Sequence, residues 1–210
     1  MLSPGQLIFL LSSFGRALSH QVRTPLSVIS NDLYCIQTQG NLHECRRSLD
    51  KCKSISSILS SACVLEPRSW QNQRLNLGDI MKQEFPLSNS QECYVQGDLE
   101  SMKRCFKLLS ELFNSQGYKN VDSKCYLEDG SVLCSFSLTQ EDFEVEVFYC
   151  SEVLSSFTEF YNYLLGQDGL NVVFIDTLLW SHEAKIIIQP NPQQFSLVVN
   201  ISIVFGASNE

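Results

Sequence analysis

The chain has 210 residues, of which 44% are hydrophobic and 10% aromatic, a composition typical of folded globular domains. Its net charge of −8 argues against a general nucleic-acid binder, because such proteins present a basic face to the phosphate backbone. The apolar run at residues 7–11 is far shorter than the roughly 20 residues that span a bilayer, and no basic segment precedes it. We therefore expect no membrane span and no secretory signal, and we place the protein in the cytoplasm.

The cysteines point to a reducing compartment. There are nine, scattered between Cys35 and Cys150 without a C-x-x-C pair, a pattern that predicts neither a zinc site nor a disulfide framework. Cys45 and Cys52 are spaced as in a helix. We interpret the cysteines as small buried apolar side chains.

Charge divides the chain into two parts. Residues 1–64 carry six basic and three acidic side chains, whereas the remainder carries nine basic and twenty acidic ones. A basic first segment favours the approach of an acidic protein partner. A solvated helix face explains the same pattern equally well.

The first segment reads as a helical hairpin. Apolar residues at steps of three and four predict an amphipathic helix over residues 6–37, a break at residues 39–41 and a second helix ending near residue 66. The two stripes are Leu7, Leu11, Phe14, Leu18, Val22, Pro25, Ile29, Leu33 and Ile36, followed by Leu42, Cys45, Leu49, Cys52, Ile55, Leu59 and Ala62. Two helices bury too little by themselves, so the simplest solution is a homodimeric four-helix bundle.

Residues 19–26 carry the most specific motif of the chain, S-H-Q-V-R-T-P-L. At about 100° per residue, His20 points away from the apolar stripe. Pro25 costs a helix about 3 kcal/mol because it removes a backbone donor and crowds the carbonyl four residues earlier, so its presence favours a functional role. The motif resembles the phosphoacceptor box of two-component histidine kinases, S-H-E-[LF]-R-T-P-L.

The second segment resembles the ATPase domain of the same family, with its nucleotide positions altered. Residues 75–81 resemble the first strand and helix of that domain, and the V-Q-G-D at residues 95–98 resembles the lead into its asparagine-bearing helix. The family's N-x-x-x-N, which holds magnesium, falls on Leu108 and Leu112. A two-residue slip would place Ser110 and Asn114 there, but the ungapped register keeps one face of the helix apolar.

The remaining family motifs are altered in the same way. Residues 143–148 alternate like a half-buried strand. In the family such a strand runs into D-x-G-x-G, whereas here the chain continues Tyr-Cys-Ser-Glu-Val. Residues 169–186 follow the family's G-L-G-L…H-G-G pattern without a gap, but Asn171, Glu183 and Ala184 replace glycines. Residues 185–189 and 195–204 predict a strand pair around Pro-Asn-Pro.

The resemblance implies an α+β protein in two parts. Residues 1–66 would form the dimerisation and histidine-phosphotransfer hairpin, and residues 67–210 a degenerate ATPase-like α/β sandwich. Such a chain resembles the dimeric histidine phosphotransferases of phosphorelays, which pass phosphoryl between the aspartates of response-regulator receiver domains. No nucleotide or metal cofactor is expected, because the receiver supplies Mg²⁺.

The resemblance also assigns roles around the motif. His20 would be the phosphoacceptor, and Gln21 would orient its ring in place of the family's carboxylate base. Arg16 and Arg23 would offset phosphate charge, although both also suit a solvated surface. Thr24 would assist phosphatase activity or serve as a helix-kink hydroxyl. A divergent active kinase and a non-catalytic pseudokinase that binds response regulators stay open as alternatives.

Overall fold

The structure is a computed structural model that describes residues 4–39, 47–53, 55–56, 71–118, 120–141, 153–165, 170–193 and 196–206. It contains mixed α and β elements. In chain order these are α1 Pro4–Gln39, α2 at residues 47–53 with 55–56, β1 Gln73–Asn76, α3 Leu77–Met81, β2 Leu87–Ser90, β3 Tyr94–Gly97, α4 Leu99–Ser115, β4 Asn120–Glu128, β5 Ser131–Glu141, α5 Phe157–Leu165, α6 Leu170–Ser181, β6 Lys185–Gln193 and β7 Ser196–Gly206.

The long first helix is confirmed, and it continues through Pro25, whose ring is buried. The chain then returns beside α1. This is shown by Arg47 and Ser48 of α2, which both bond the Asp32 carboxylate of α1. The Arg47 Nε lies 3.1 Å and the Ser48 hydroxyl 3.0 Å from one Asp32 oxygen, and Arg47 also donates to the other. The predicted boundary at residues 66 and 67 lies outside the described residues.

The predicted apolar stripe of this hairpin is only partly covered. Leu33 in α1 is 52% exposed and Leu49 in α2 is 55% exposed, while the neighbouring Asp32 is fully buried. Cys52 is also exposed, so its assignment as a buried side chain is wrong. Among the described residues of one chain, no helix or strand packs over Leu33, Leu49 and Cys52. Asp32 is buried because Arg47 of α2 lies over it.

The second segment is built on a five-stranded sheet in the order β2-β4-β5-β7-β6, beside a two-stranded sheet of β1 and β3. Alternate residues of β5 and β7 are buried, so one face of the large sheet packs on helices and forms the core. Cys93, Cys105, Cys125 and Cys134 are buried in this core, as predicted for small apolar side chains. Across the described helices, no segment is both long enough and apolar enough to cross a bilayer.

Local capping explains where two of the elements begin. The Asn76 side chain accepts from the backbone N–H of Gly78 at 3.1 Å and starts α3 directly after β1. The Asp98 carboxylate accepts from the N–H of Ser101 at 2.9 Å and starts α4 directly after β3. Both strand-to-helix transitions predicted from the family resemblance are therefore confirmed.

The alternating strand predicted at residues 143–148 lies outside the described residues and stays a prediction. The half-buried alternating strand that the structure does describe is β5, Ser131–Glu141, which the sequence analysis did not name. β4 and β5 pair in register around Asp129 and Gly130, both with positive φ, as tight hairpin turns require.

The predicted pair of β6 and β7 is confirmed, but β6 runs on through Pro190 and Pro192. The N–H of Ile188 points outward to the carbonyl of Leu154, at 2.9 Å. Pro190 and Pro192 lie two and four positions after Ile188, so their backbone nitrogens also point outward. Neither proline therefore removes a hydrogen bond to β7.

α6 joins the two segments. Val172, Val173, Phe174, Ile175 and Asp176 are all buried, which suits a helix that packs on the core with one side and on α1 with the other. Phe14 of α1 meets Phe174 with ring centroids 6.4 Å apart, and Leu18 joins the same apolar cluster. The α/β segment is thus packed against α1 beside the S-H-Q-V-R-T-P-L motif.

Candidate functional site

The S-H-Q-V-R-T-P-L motif lies in the middle of α1, and its backbone is helical throughout. The side chains of His20 and Arg16 lie outside the described part of the structure, so the predicted exposure of His20 stays a prediction. Around the helix, positions 23, 24 and 27 lie within about 60° of position 20. Arg23 and Thr24 are exposed there, and Gln21 is half-buried.

Pro25 shapes the helix next to this surface. Its ring nitrogen carries no hydrogen, so the carbonyl of Gln21 receives no helical bond from it. One turn further on, the Ser27 hydroxyl donates to the carbonyl of Arg23 at 3.0 Å. The backbone around the motif therefore departs from a plain helical ladder at Gln21 and carries an added side-chain bond at Arg23.

An open groove of about 650 Å³ runs along α1 beside the motif. It is lined by Gly15, Leu18, Ser19, Val22, Arg23, Leu26, Ser27 and Ser30. Leu26 is 51% exposed and Tyr34, further along the helix, is 67% exposed. This surface offers Arg23 and hydroxyl groups next to apolar side chains, a mixture that suits a protein partner better than a small ligand.

The positions that the resemblance assigns to magnesium ligands hold apolar side chains. Leu112 is 8% exposed and belongs to the main core, and Leu108 packs against Val173 and Phe174 of α6. Hydrocarbon side chains offer no oxygen to a hard cation. In the described part of the chain, no group of three or more His, Cys, Asp or Glu residues lies close enough to hold a metal ion.

The alternative, slipped register is not matched by the packing of α4. Ser110 makes only a 3.5 Å contact with the carbonyl of Glu84, and Asn114 is exposed. The ungapped register keeps Met102, Cys105, Phe106, Leu109 and Phe113 buried on one face, as predicted.

The end of β5 is a second position to compare with the family's D-x-G-x-G. The sequence after β5 continues Asp142-Phe143-Glu144, which has the aspartate of that motif but not its glycines.

Glu183, which stands where the family has a glycine, adopts a backbone conformation that favours glycine. Glu183 follows α6 with φ of 57°, in the left-handed region where glycine is preferred after a helix. The N–H of Ala184 bonds back to the carbonyl of Leu179 at 3.0 Å, closing the helix end. The conformation that the family's glycine would favour is thus retained with a glutamate in place.

His182 has a structural environment. Its Nδ1–H donates to the carbonyl of Leu178 at 2.7 Å, and its Nε2 accepts from the N–H of Asp98 at 3.2 Å. Burial lowers the pKa of His182 and favours the neutral ring. A methyl group on Gly97 would overlap this ring, with Nε2 only 2.9 Å away. His182 therefore links the end of α6 to the start of α4. His43 lies outside the described residues.

Asp176 is a buried carboxylate that the sequence analysis missed. It is fully buried in α6, and its oxygens accept from the N–H groups of Phe157 at 2.7 Å and Thr158 at 2.8 Å. It thereby caps the N-terminus of α5 from another helix. Burial raises the pKa of Asp176 to about 7, against the opposing effect of these hydrogen bonds. A single carboxylate inside an otherwise apolar helix was the available signal.

Solved histidine kinases share this fold. The Acinetobacter baumannii histidine kinase AdeS superposes with a TM-score of 0.52 and 12% identity, over 90% of this chain and 98% of that one. The histidine kinase ThkA, in a complex with the response regulator protein TrrA, superposes with a TM-score of 0.50 and 11% identity, over 94% of this chain and 63% of that one. Full-length ShkA in complex with AMPPNP gives 0.50 and 12%, over 100% of this chain and 47% of that one.

No protein-family model matches the sequence, and no curated protein is significantly similar to it. The α+β fold is that of the histidine kinases. At 12% identity and below, the likeness to AdeS and ThkA establishes the fold alone.

Proposed function

We propose that this chain is a histidine phosphotransferase of a phosphorelay, which carries phosphoryl groups between receiver-domain aspartates through His20 without using ATP. One observation carries the proposal. A fold shared with histidine kinases retains the S-H-x-x-R-T-P-L box, while Leu108 and Leu112 fill the two positions assigned to metal ligands with packed hydrocarbon. Phosphoryl transfer from a receiver needs the S-H-x-x-R-T-P-L box, and it does not need a metal site on this chain.

The chemistry requires little from the protein beyond position. A neutral imidazole nitrogen of His20 attacks the phosphorus of an aspartyl phosphate, the bond between phosphorus and the carboxyl oxygen breaks, and the carboxylate leaves with its electron pair. The second receiver's aspartate reverses the exchange. The receiver supplies Mg²⁺, so this chain holds no cofactor of its own.

The neighbouring side chains have supporting roles in this proposal. The Gln21 amide orients the ring, which suffices for attack on an activated acyl phosphate because no strong base is needed. Arg23, exposed near position 20, and Arg16 one turn before it offset phosphate charge. Thr24 assists hydrolysis of the phosphorylated receiver.

We further propose that two chains form a four-helix bundle from their hairpins. Leu26, Leu33, Tyr34 and Leu49 are each more than half exposed and lie on α1 and α2. Apolar side chains of this size on one helix pair favour burial against a second copy. The ThkA complex contains a response regulator, and we place the receiver of this chain on the part of α1 around position 20.

Transfer from a receiver tests the mechanism. Each receiver domain of the source organism, phosphorylated with labelled acetyl phosphate, is incubated with wild type, His20→Gln or His43→Gln. We expect label on the wild type and on His43→Gln, and none on His20→Gln. Equal labelling of all three proteins, or of none, would contradict the relay mechanism and, in the second case, favour a pseudokinase.

Incubation with ATP tests the alternative that the chain is an active kinase. Wild type incubated with γ-labelled ATP and Mg²⁺ is expected to stay unlabelled, and nucleotide titration is expected to show no saturable binding. Saturable binding together with label on His20 would instead identify an active kinase. The aspartate that follows β5 in the sequence makes Asp142→Asn the informative variant in that case, because loss of binding would locate the nucleotide.

A further inference from the structure

A second groove lies on the α/β segment, where the turn after α3 faces the C-terminal half of α4 and the start of β4. Its volume is about 630 Å³. Phe85, Phe113 and Tyr118 form its aromatic floor and are 5%, 2% and 8% exposed. The ring centroid of Phe113 lies 5.9 Å from that of Phe85 and 6.3 Å from that of Tyr118. Because these rings belong to the packed core, the groove is preformed.

The rim of this groove carries hydrogen-bond acceptors. Glu84, Asn114 and Asp122 line it together with hydroxyl groups. Asp122 is paired with Lys124 at 3.1 Å. Among the described residues, none bonds the Glu84 carboxylate, the Asn114 side-chain amide or the Tyr118 hydroxyl. Three residues that line the groove thus carry polar groups without a hydrogen-bond partner from the described part of their own chain.

This combination fits a cation on an apolar stem. The three rings expose too little of their faces to stack on a cation, but the Glu84 carboxylate on the rim attracts one. Arginine suits the groove better than lysine, because the planar edge of a guanidinium donates to several acceptors at once. The surrounding segment favours a basic partner as well, since residues 65–210 carry twenty acidic and nine basic side chains.

We propose that this groove is a docking site for an arginine side chain carried by a partner protein. Leu87 and Ser88 of β2 border the groove, and β2 is the end strand among the described strands of the sheet. A partner segment running along this edge would place a side chain in the groove. A bulge between Leu87 and Asn89 interrupts the edge, so the contact is a seated side chain rather than a long added strand. The site lies away from α1 and does not depend on phosphoryl transfer.

NMR titration of the full chain tests the proposal. The probes are N-acetyl-arginine amide and N-acetyl-citrulline amide, which have nearly the same shape but differ in charge. We expect saturable shifts of the Asn114 side-chain amide and the Tyr118 backbone amide with the arginine probe and not with citrulline. Glu84→Gln should weaken binding about fivefold. Glu111→Gln, an exposed glutamate of α4 outside the groove, should leave it unchanged.

The remaining outcomes overturn the proposal. Equal shifts with citrulline would show that charge is not recognised. Equal weakening of binding by Glu84→Gln and Glu111→Gln would show that the arginine probe responds only to the net charge of the protein. If the shifts do not saturate up to about 100 mM probe, there is no site. Tenfold tighter binding of free arginine than of the capped probe would indicate a small-molecule site instead of a docking site.

Discussion

Replacement of Asp176 by asparagine tests the buried cap of α5. The wild-type carboxylate is fully buried and its pKa is raised to about 7, whereas an unfolded chain has an aspartate pKa of about 3.9. Between these two values the folded protein binds the additional proton. The contribution of this group to stability is therefore largest at low pH and is lost as the pH rises towards 7.

The magnitude follows from the two pKa values. Integrating the proton linkage from pH 5 to pH 8 gives a decrease of about 2.5 kcal/mol in the free energy of unfolding of the wild type. Asp176→Asn keeps the shape of the side chain and one acceptor oxygen for the N–H groups of Phe157 and Thr158. It does not titrate, so its stability lacks this component.

Urea unfolding at pH 5, 6, 7 and 8, followed by circular dichroism in reducing buffer, measures the effect. We expect the stability of the wild type relative to Asp176→Asn to fall steadily across this range. Other titrating groups are common to both proteins and cancel in the difference. A difference that is independent of pH, or that increases with pH, would refute the reasoning that burial governs this carboxyl.

Three further substitutions probe single contacts. Gly97→Ala should lower the free energy of unfolding, measured by urea denaturation, by about 2 kcal/mol, because the added methyl group meets the His182 ring. The double variant Gly97→Ala with His182→Ala should lose less stability than the two single variants added together. Glu183→Gly should raise thermal stability by about 0.5–1 kcal/mol, since φ is 57° there, and an unchanged or lower melting temperature would contradict this. Arg47→Ala should lower the free energy of unfolding by about 2 kcal/mol, because it removes a charged donor from buried Asp32. The double variant Arg47→Leu with Asp32→Leu should recover most of this loss in the same urea measurement.

Local patterns determined much of the architecture. The three-and-four spacing of apolar residues predicts α1 and the buried face of α4, because the side-chain positions of a helix depend only on its own sequence. The capping residue Asp98 likewise marks the start of α4 from within one turn. Asp129-Gly130 was an equally local signal for the β4–β5 hairpin, and reading it would have predicted β5, which the sequence analysis did not name.

The candidate site was predictable only in part. The motif around His20 follows from sequence, and its helical backbone agrees with the prediction. The packing of Leu108 against α6 does not follow, because it depends on a helix more than 60 residues away in the sequence. The same holds for the exposure of Cys52, whose periodicity alone predicted burial.

The amino-acid sequence by itself determined α1 and α4, the local caps of α3 and α4, and the phosphoacceptor-like motif, since each of these depends on interactions within a few residues. Only the tertiary structure decided which polar groups are buried. Asp176 and Asp32 are fully buried because distant segments supply donors to them, two backbone N–H groups of α5 for one and Arg47 for the other. Burial is a property of the contacts between elements, and one-dimensional spacing does not contain those contacts.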